Sequence, residues 1–129
     1  MAGTMDVTPL IPEGRQVIEG YGEGKFRISG AVHEGPVIVF PERALSWPIA
    51  AIEDLSIEAL SLALDPGDAL EILLLGCGSS QIFVTPSLRA QIRERGPVLD
   101  SMDTGAACRT YNVLLSEGRR VAAALMPVA

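Results

Sequence analysis

The residues best placed to do chemistry lie in three short stretches. The first is Glu71-Ile72-Leu73-Leu74-Leu75-Gly76-Cys77-Gly78-Ser79-Ser80. An apolar strand that runs into Gly-x-Gly lets a backbone approach a dinucleotide or S-adenosylmethionine closely. The surroundings do not complete that motif. A helix should follow at once, yet Ile82-Phe83-Val84 reads as extended, and the third glycine is missing. No suitable acidic residue stands about 20 positions further on to hold a ribose. The stretch is therefore read as a tight turn at a strand end. The second stretch, Gly20-Tyr21-Gly22-Glu23-Gly24-Lys25-Phe26, has the Gly-Lys pair of a phosphate loop, but Phe26 occupies the position of the magnesium-binding hydroxyl. A hairpin turn or bulge accounts for it better. The third runs from Met102-Asp103-Thr104-Gly105 through Ala107-Cys108-Arg109-Thr110-Tyr111-Asn112. On a helix Ala107, Tyr111 and Leu114 share one face, with Cys108 and Leu115 beside it, so that face is core. Thr104, Arg109, Thr110 and Asn112 are not explained by packing.

Nucleophilic and metal chemistry find little support. His33 is the only histidine, and Cys77 and Cys108 stand far apart, so no metal site is expected. Cys108 falls mid-helix, and Arg109, its sequence neighbour, points about 100° away around the helix axis. No paired carboxylates stand out. No catalytic residue is assigned, and no cofactor is expected.

The elements that must position these stretches divide the chain in two. Residues 1–14 carry Gly3, Pro9, Pro12 and Gly14 without periodicity and are expected to form a flexible arm; residues 15–129 are expected to form one globular domain. The first half reads as antiparallel β structure. It has a short run Gln16–Glu19, an alternating strand Lys25–Ile28, turns at Gly30 and Gly35-Pro36, and an apolar strand Val37–Phe40. Ser46-Trp47-Pro48 is read as a loop or short extension. Ser56 is a helix N-cap, and Asp65-Pro66-Gly67-Asp68 stops that helix. The second half reads strand (Leu70–Leu75), strand (Ile82–Val84), helix (Pro86–Arg95), strand (Pro97–Leu99), helix (Asp103–Glu117), strand (Arg120–Met126). Right-handed crossovers make the strands at 70–75, 97–99 and 120–126 parallel. The expected class is α/β: an N-terminal antiparallel β region followed by β-α-β-α-β with a mixed sheet.

Charge narrows the function. The chain has 129 residues, 48% hydrophobic and 20% charged, with a net charge of −6. An acidic domain of this size is a poor binder of nucleic acid or anionic membrane. Residues 1–85 hold twelve acids and four bases, while residues 86–129 hold four acids and six arginines. This polarity could steer a protein partner. No apolar run approaches the ~20 residues of a membrane span. The N-terminus has neither the basic and apolar regions of a secretory signal nor an Arg-rich transit segment, so a cytoplasmic location is expected.

If the strands at 70–75 and 97–101 are parallel, the Gly76–Ser79 turn meets the start of the 103–117 helix. Carboxyl ends of parallel strands are the usual binding place in such folds. Gly76, Cys77, Gly78, Ser79, Met102, Asp103, Thr104, Thr110 and Asn112 are thus a candidate binding crevice.

At these residues the chain resembles a known family. Leu73-Leu74-Leu75-Gly76-Cys77-Gly78, Met102-Asp103-Thr104 with Ala107-Cys108-Arg109-Thr110-Tyr111-Asn112, and Glu117-Gly118-Arg119-Arg120-Val121-Ala122-Ala123-Ala124-Leu125 look like a small family of uncharacterised proteins. That family includes mitochondrial complex I assembly factor three and many short bacterial proteins. The resemblance covers roughly residues 15–126 and implies a three-layer β/α/β fold, with no enzyme activity established. The family usually carries Thr where Cys77 stands. The absence of a targeting segment makes the chain similar to the short bacterial members. The expected function is a non-catalytic protein-interaction domain that helps assemble respiratory complex I. Its partners would be complex I subunits or another assembly factor, reached through Arg93, Arg109 and Arg119, with any contact to the inner membrane made through those partners. The alternative is a small-molecule-binding domain or minor enzyme using the crevice.

Overall fold

A computed structural model describes residues 14–64 and 69–129. The expected arm at 1–14 lies, except for Gly14, outside the described residues, as does the helix stop at 65–68. Among the described residues there are eight strands, three α-helices and one 3-10 turn at Ile52–Asp54: β1 Ile18–Gly22, β2 Lys25–Ile28, β3 Ala31–Glu34, β4 Val37–Val39, β5 Ala44–Ser46, α1 Ser61–Leu64, β6 Ile72–Gly76, α2 Pro86–Glu94, β7 Val98–Met102, α3 Thr104–Ser116 and β8 Val121–Leu125.

The strands form two sheets. One is the antiparallel meander β1-β2-β3; the other is mixed, in the order β5-β4-β8-β6-β7. Strands β6, β7 and β8 are parallel, as the crossovers require, whereas β4 runs antiparallel to β8 and to β5. The N-terminal β region is therefore shared between the sheets. From β6 the chain steps to β7 through α2, then back past β6 to β8 through α3. Two crossovers of one hand in opposite directions must put their helices on opposite faces. Accordingly α3 packs with β1–β3 on one face, giving the β/α/β layering, and α2 covers the other.

Side-chain parity shows the sheet between two cores. From β8, Val121, Ala123 and Leu125 enter the α3 side; Ala122 and Ala124 enter the α2 side. From β4, Val37 and Val39 go one way and Ile38 the other. All these residues are buried, so β8 reads as a continuous apolar run because both its faces are covered. Its three alanines leave room for Tyr111 and Trp47, the two largest fully buried side chains.

Several elements differ from expectation. β1 continues through Gly20 to Gly22, with a register shift between Ile18 and Gly20, and the turn falls at Glu23-Gly24. The sequence between Gly30 and Gly35 forms a third strand, β3. Ser56 does accept a hydrogen bond from the Ala59 N–H (3.0 Å), but the chain then turns and only Ser61–Leu64 is α-helical. Ile82–Val84 is not a strand. Its alternation is real, with Val84 buried and Phe83 81% exposed, but the segment lies over the core without joining the sheet.

Candidate functional site

The end of β6 is where the sequence places a crevice, and the structure brings most of the named residues together there. Gly76 pairs with Met102 on one side and Leu125 on the other. A Cβ on Gly76 would lie 2.8 Å from a Leu125 methyl and 3.0 Å from the Thr104 hydroxyl, so close packing demands glycine. Beyond it the Cys77 N–H donates to the Met102 carbonyl (2.9 Å), and the Met126 N–H donates to the Gly76 carbonyl (2.9 Å). Gly78 takes a φ of +96°, a conformation costly for a side chain.

Thr104 ties this corner together. Its N–H donates to the Gly78 carbonyl (2.8 Å), and its hydroxyl donates to the Met126 carbonyl (2.6 Å) while accepting from the Gly78 N–H (2.9 Å). The residue is wholly buried. Asp103 caps α3 through a bond from the Ala106 N–H to Oδ1 (2.8 Å). The carboxylate fills the helix N-terminus that an anionic ligand would need. Ser79 is exposed beside the turn.

The last two candidates diverge: Thr110 reaches back to Met102 at the corner, and Asn112 points elsewhere. The Thr110 hydroxyl sits 3.6 Å from the Met102 sulfur. Asn112 faces β1, where its Oδ1 accepts from the Ile18 N–H (3.0 Å) and its Nδ2 donates to the Ile18 carbonyl (2.8 Å). The amide makes the paired contact that another strand would make. Next to it the Tyr111 hydroxyl donates to the Gln16 carbonyl (3.0 Å).

Both cysteines are free and buried. Burial raises the Cys77 thiol, with the nearby Asp103 charge adding to the effect. Burial pushes Cys108 up to about 12, against a smaller opposing effect of Arg109. Both are neutral thiols at pH 7, unlike an activated nucleophile. Among the described residues no group of His, Cys, Asp and Glu is arranged to hold a metal ion, and no helix is long and apolar enough to cross a membrane.

The arginines expected to meet a partner are distributed rather than clustered. Arg93 is on α2 and Arg109 on α3, so they lie on opposite faces of the sheet. Arg93 donates to the Gly96 carbonyl (2.6 Å). Arg119 approaches Glu71 Oε1 at 3.4 Å. Arg109 is exposed near Tyr21, whose ring lies against Gly105.

Sequence patterning does not mark Gln81. Val98 N–H and Met102 C=O face β6, so the groups of Leu99 and Ser101 face outward at the open edge of β7. There Arg89 donates to the Leu99 carbonyl (3.0 Å) and the Ser101 hydroxyl (3.2 Å), and Gln81 Nε2 donates to the Ser101 carbonyl (2.9 Å). Side chains thus occupy an edge that could otherwise pair with another chain.

Comparison with known proteins agrees with this architecture. The chain is 41% identical over 112 residues to an uncharacterized protein of Rhodobacter capsulatus, covering 86% of this chain and 84% of that protein. It is 36% identical over 110 residues to the NADH dehydrogenase (ubiquinone) 1 alpha subcomplex assembly factor 3 of Xenopus tropicalis. That match covers 85% of this chain but only 60% of the assembly factor. Among solved structures, a Mth938-like domain of Bordetella pertussis superposes with a TM-score of 0.81 at 27% identity, covering 95% of this chain and 92% of that one. The model of the family described as protein of unknown function (DUF498/DUF598) matches residues 18–126, from β1 to just past β8, and the chain belongs to that family.

Proposed function

We propose that the chain is a protein-interaction domain that assists assembly of a respiratory NADH:ubiquinone oxidoreductase, complex I. The observation that carries this reading is the 36% identity to the Xenopus assembly factor across 85% of the chain. The strand-end corner supports it. There Cys77 bonds Met102, Gly76 bonds Met126, and Thr104 bonds both Gly78 and Met126, as suits a scaffold. Partner segments of the assembly factor that lie outside the shared domain are not carried over. Of the three arginines, Arg109 is best placed to meet a partner, being exposed midway along α3, whereas Arg93 and Arg119 are engaged within the chain. Contact with the inner membrane would come through the partners.

A cross-linking pull-down of the tagged protein from its own cells, read by mass spectrometry, tests this. Recovery of subunits of the oxidoreductase's peripheral arm, reduced by Arg109→Glu, is expected. Recovery of the bait alone overturns the reading.

A further inference from the structure

The α2 side of the sheet carries an open groove of about 560 Å3 that neither the strand-end corner nor the arginines explain. One wall is the irregular chain around Ile52–Glu58; the other runs from Ile82 into the first turns of α2. Ile52, Leu55, Ile82 and Leu88 form an apolar floor that is continuous with the core beneath. Phe83 also lines the groove and is 81% exposed, by a wide margin the most exposed large hydrophobic residue described. The only charged residues lining the groove are Glu53 and Glu58, with Asp54 adjoining. Neither Glu53 nor Glu58 forms an ion pair among the described residues.

We propose that this groove docks a cationic amphipathic segment of a protein partner, which lays an apolar side chain against Phe83 and sets Lys or Arg opposite Glu53 and Glu58. The inference rests on the interaction-domain reading and supplies the partner's chemistry. An apolar floor with an acidic rim is complementary to a segment with apolar residues on one face and bases beside them. A small ligand suits the groove less well. Small-molecule sites enclose most of the ligand's surface, whereas this groove is open, and the Ser56 and Thr85 hydroxyls on its walls already accept from the Ala59 and Leu88 N–H groups. A second copy of the chain suits it less well too. Arg89, Arg93, Arg119 and Arg120 already bond groups of their own chain, so few of its bases are available to the acidic rim.

The test is an NMR titration of the full 15N-labelled chain with a synthetic 14-residue peptide. The peptide carries Leu at i, i+3, i+4 and i+7 with Lys between them. Shifts confined to backbone amides of 52–58 and 82–91 are expected. Binding should weaken at least tenfold in Glu53→Lys/Glu58→Lys and several-fold in Phe83→Ser, and be lost when Glu replaces Lys in the peptide. Glu34→Lys/Glu117→Lys, which reverses acids elsewhere, should leave affinity within twofold. Shifts spread across the acidic surface, equal weakening by the control pair, or no binding would overturn the proposal. So would a dimer, seen by sedimentation, that Glu53→Lys/Glu58→Lys dissociates, because the groove would then hold a second copy. The pull-down separates this inference from the reading it rests on. If Glu53→Lys/Glu58→Lys still recovers oxidoreductase subunits, the groove assignment fails and the assembly reading stands. If the unaltered bait recovers none while the peptide docks in the groove, the assembly reading fails and the groove assignment stands.

Discussion

On one face of the five-stranded sheet, α3 and the β1–β3 meander close the core with polar side chains that bond backbone: Thr104 at the strand ends, Asn112 and Tyr111 along β1. On the other face, α2 and the chain between Trp47 and Leu64 close it mainly by apolar contact. Inside that face the polar anchor is the Trp47 Nε1–H donating to the Ala59 carbonyl at 2.7 Å, with Arg89 and Gln81 bonding backbone only at the outer edge of β7. The first face is sealed; the second leaves a groove and a bare phenylalanine. Directed bonds fix geometry and leave few gaps between the elements they join. Apolar closure tolerates irregular backbone, and irregular backbone leaves gaps in which something else can bind.

Substitutions at four positions would break or sharpen this contrast. The largest effect belongs to the open face. Trp47→Ala removes a fully buried ring and its hydrogen bond and should cost about 3–5 kcal/mol in urea unfolding. Because β6 and β8 serve both cores, the transition should stay cooperative; two separate transitions would mean that the faces are independent. On the sealed face, Thr104→Val keeps the shape but strands the Gly78 N–H and the Met126 carbonyl. A loss of about 1–3 kcal/mol follows from two partly buried groups left unpaired, whereas Thr104→Ser should lose under ~1 kcal/mol. Equal behaviour of the two variants would show that the hydroxyl bonds contribute little. Asn112→Ala should cost about 1–3 kcal/mol and speed hydrogen exchange at the Ile18 amide before that of β6. Unchanged exchange there would remove Asn112 from the account of how β1 is held.

The smallest effect is electrostatic and belongs to the lower end of the sheet. Glu71 is held below its ordinary value of 4.5, chiefly by the Arg120 backbone N–H, with Arg119 adding to the effect against opposing desolvation. A depressed carboxyl contributes stability that is present above the unfolded value and is lost as pH falls through the native one. Glu71→Gln should therefore lower stability slightly at neutral pH and flatten the acid limb below about pH 4.5, so that the two proteins converge in acid. An unaltered acid limb would show that the bond to Arg120 is not made in solution.

The sealed face was largely legible in the sequence. The runs at 70–75 and 120–126 announce doubly covered strands, Asp103 announces the start of α3, and the helical spacing of Ala107, Tyr111 and Leu114 announces its inner face. What could not be read was which backbone atoms the polar residues would bond. Asn112 lies 94 positions from Ile18, and nothing local distinguishes a clamp of that kind from a ligand contact. The open face was less legible. Ile82–Val84 alternates as a strand does, because its inward side chains enter the core, but β7 offers it no ladder where Arg89 and Gln81 occupy the outer carbonyls. The helix expected from Ser56 is only partly α-helical, since the residues around it pack by tertiary contact rather than by repeating backbone bonds. The groove arises from these two irregular stretches together, and neither shows it alone.

The position of β8 carries a consequence in time. It is the last of the described strands to be made, yet it lies between β4 and β6, in the middle of the sheet. A ribosome needs roughly 4–17 s, at about 5–20 residues per second, to add the stretch from the end of β4 to the end of β8. β4 for all of that interval, and β6 once residue 76 is made, exist without the neighbour that joins them, two short apolar strands with unsatisfied edges. The nascent chain can form its meander and α2 early, but the large sheet closes only after residue 125 has emerged. A stop codon a few residues upstream of β8 would therefore yield two unjoined halves rather than a slightly shortened domain, and slowing translation would prolong the period in which the chain is most open to aggregation.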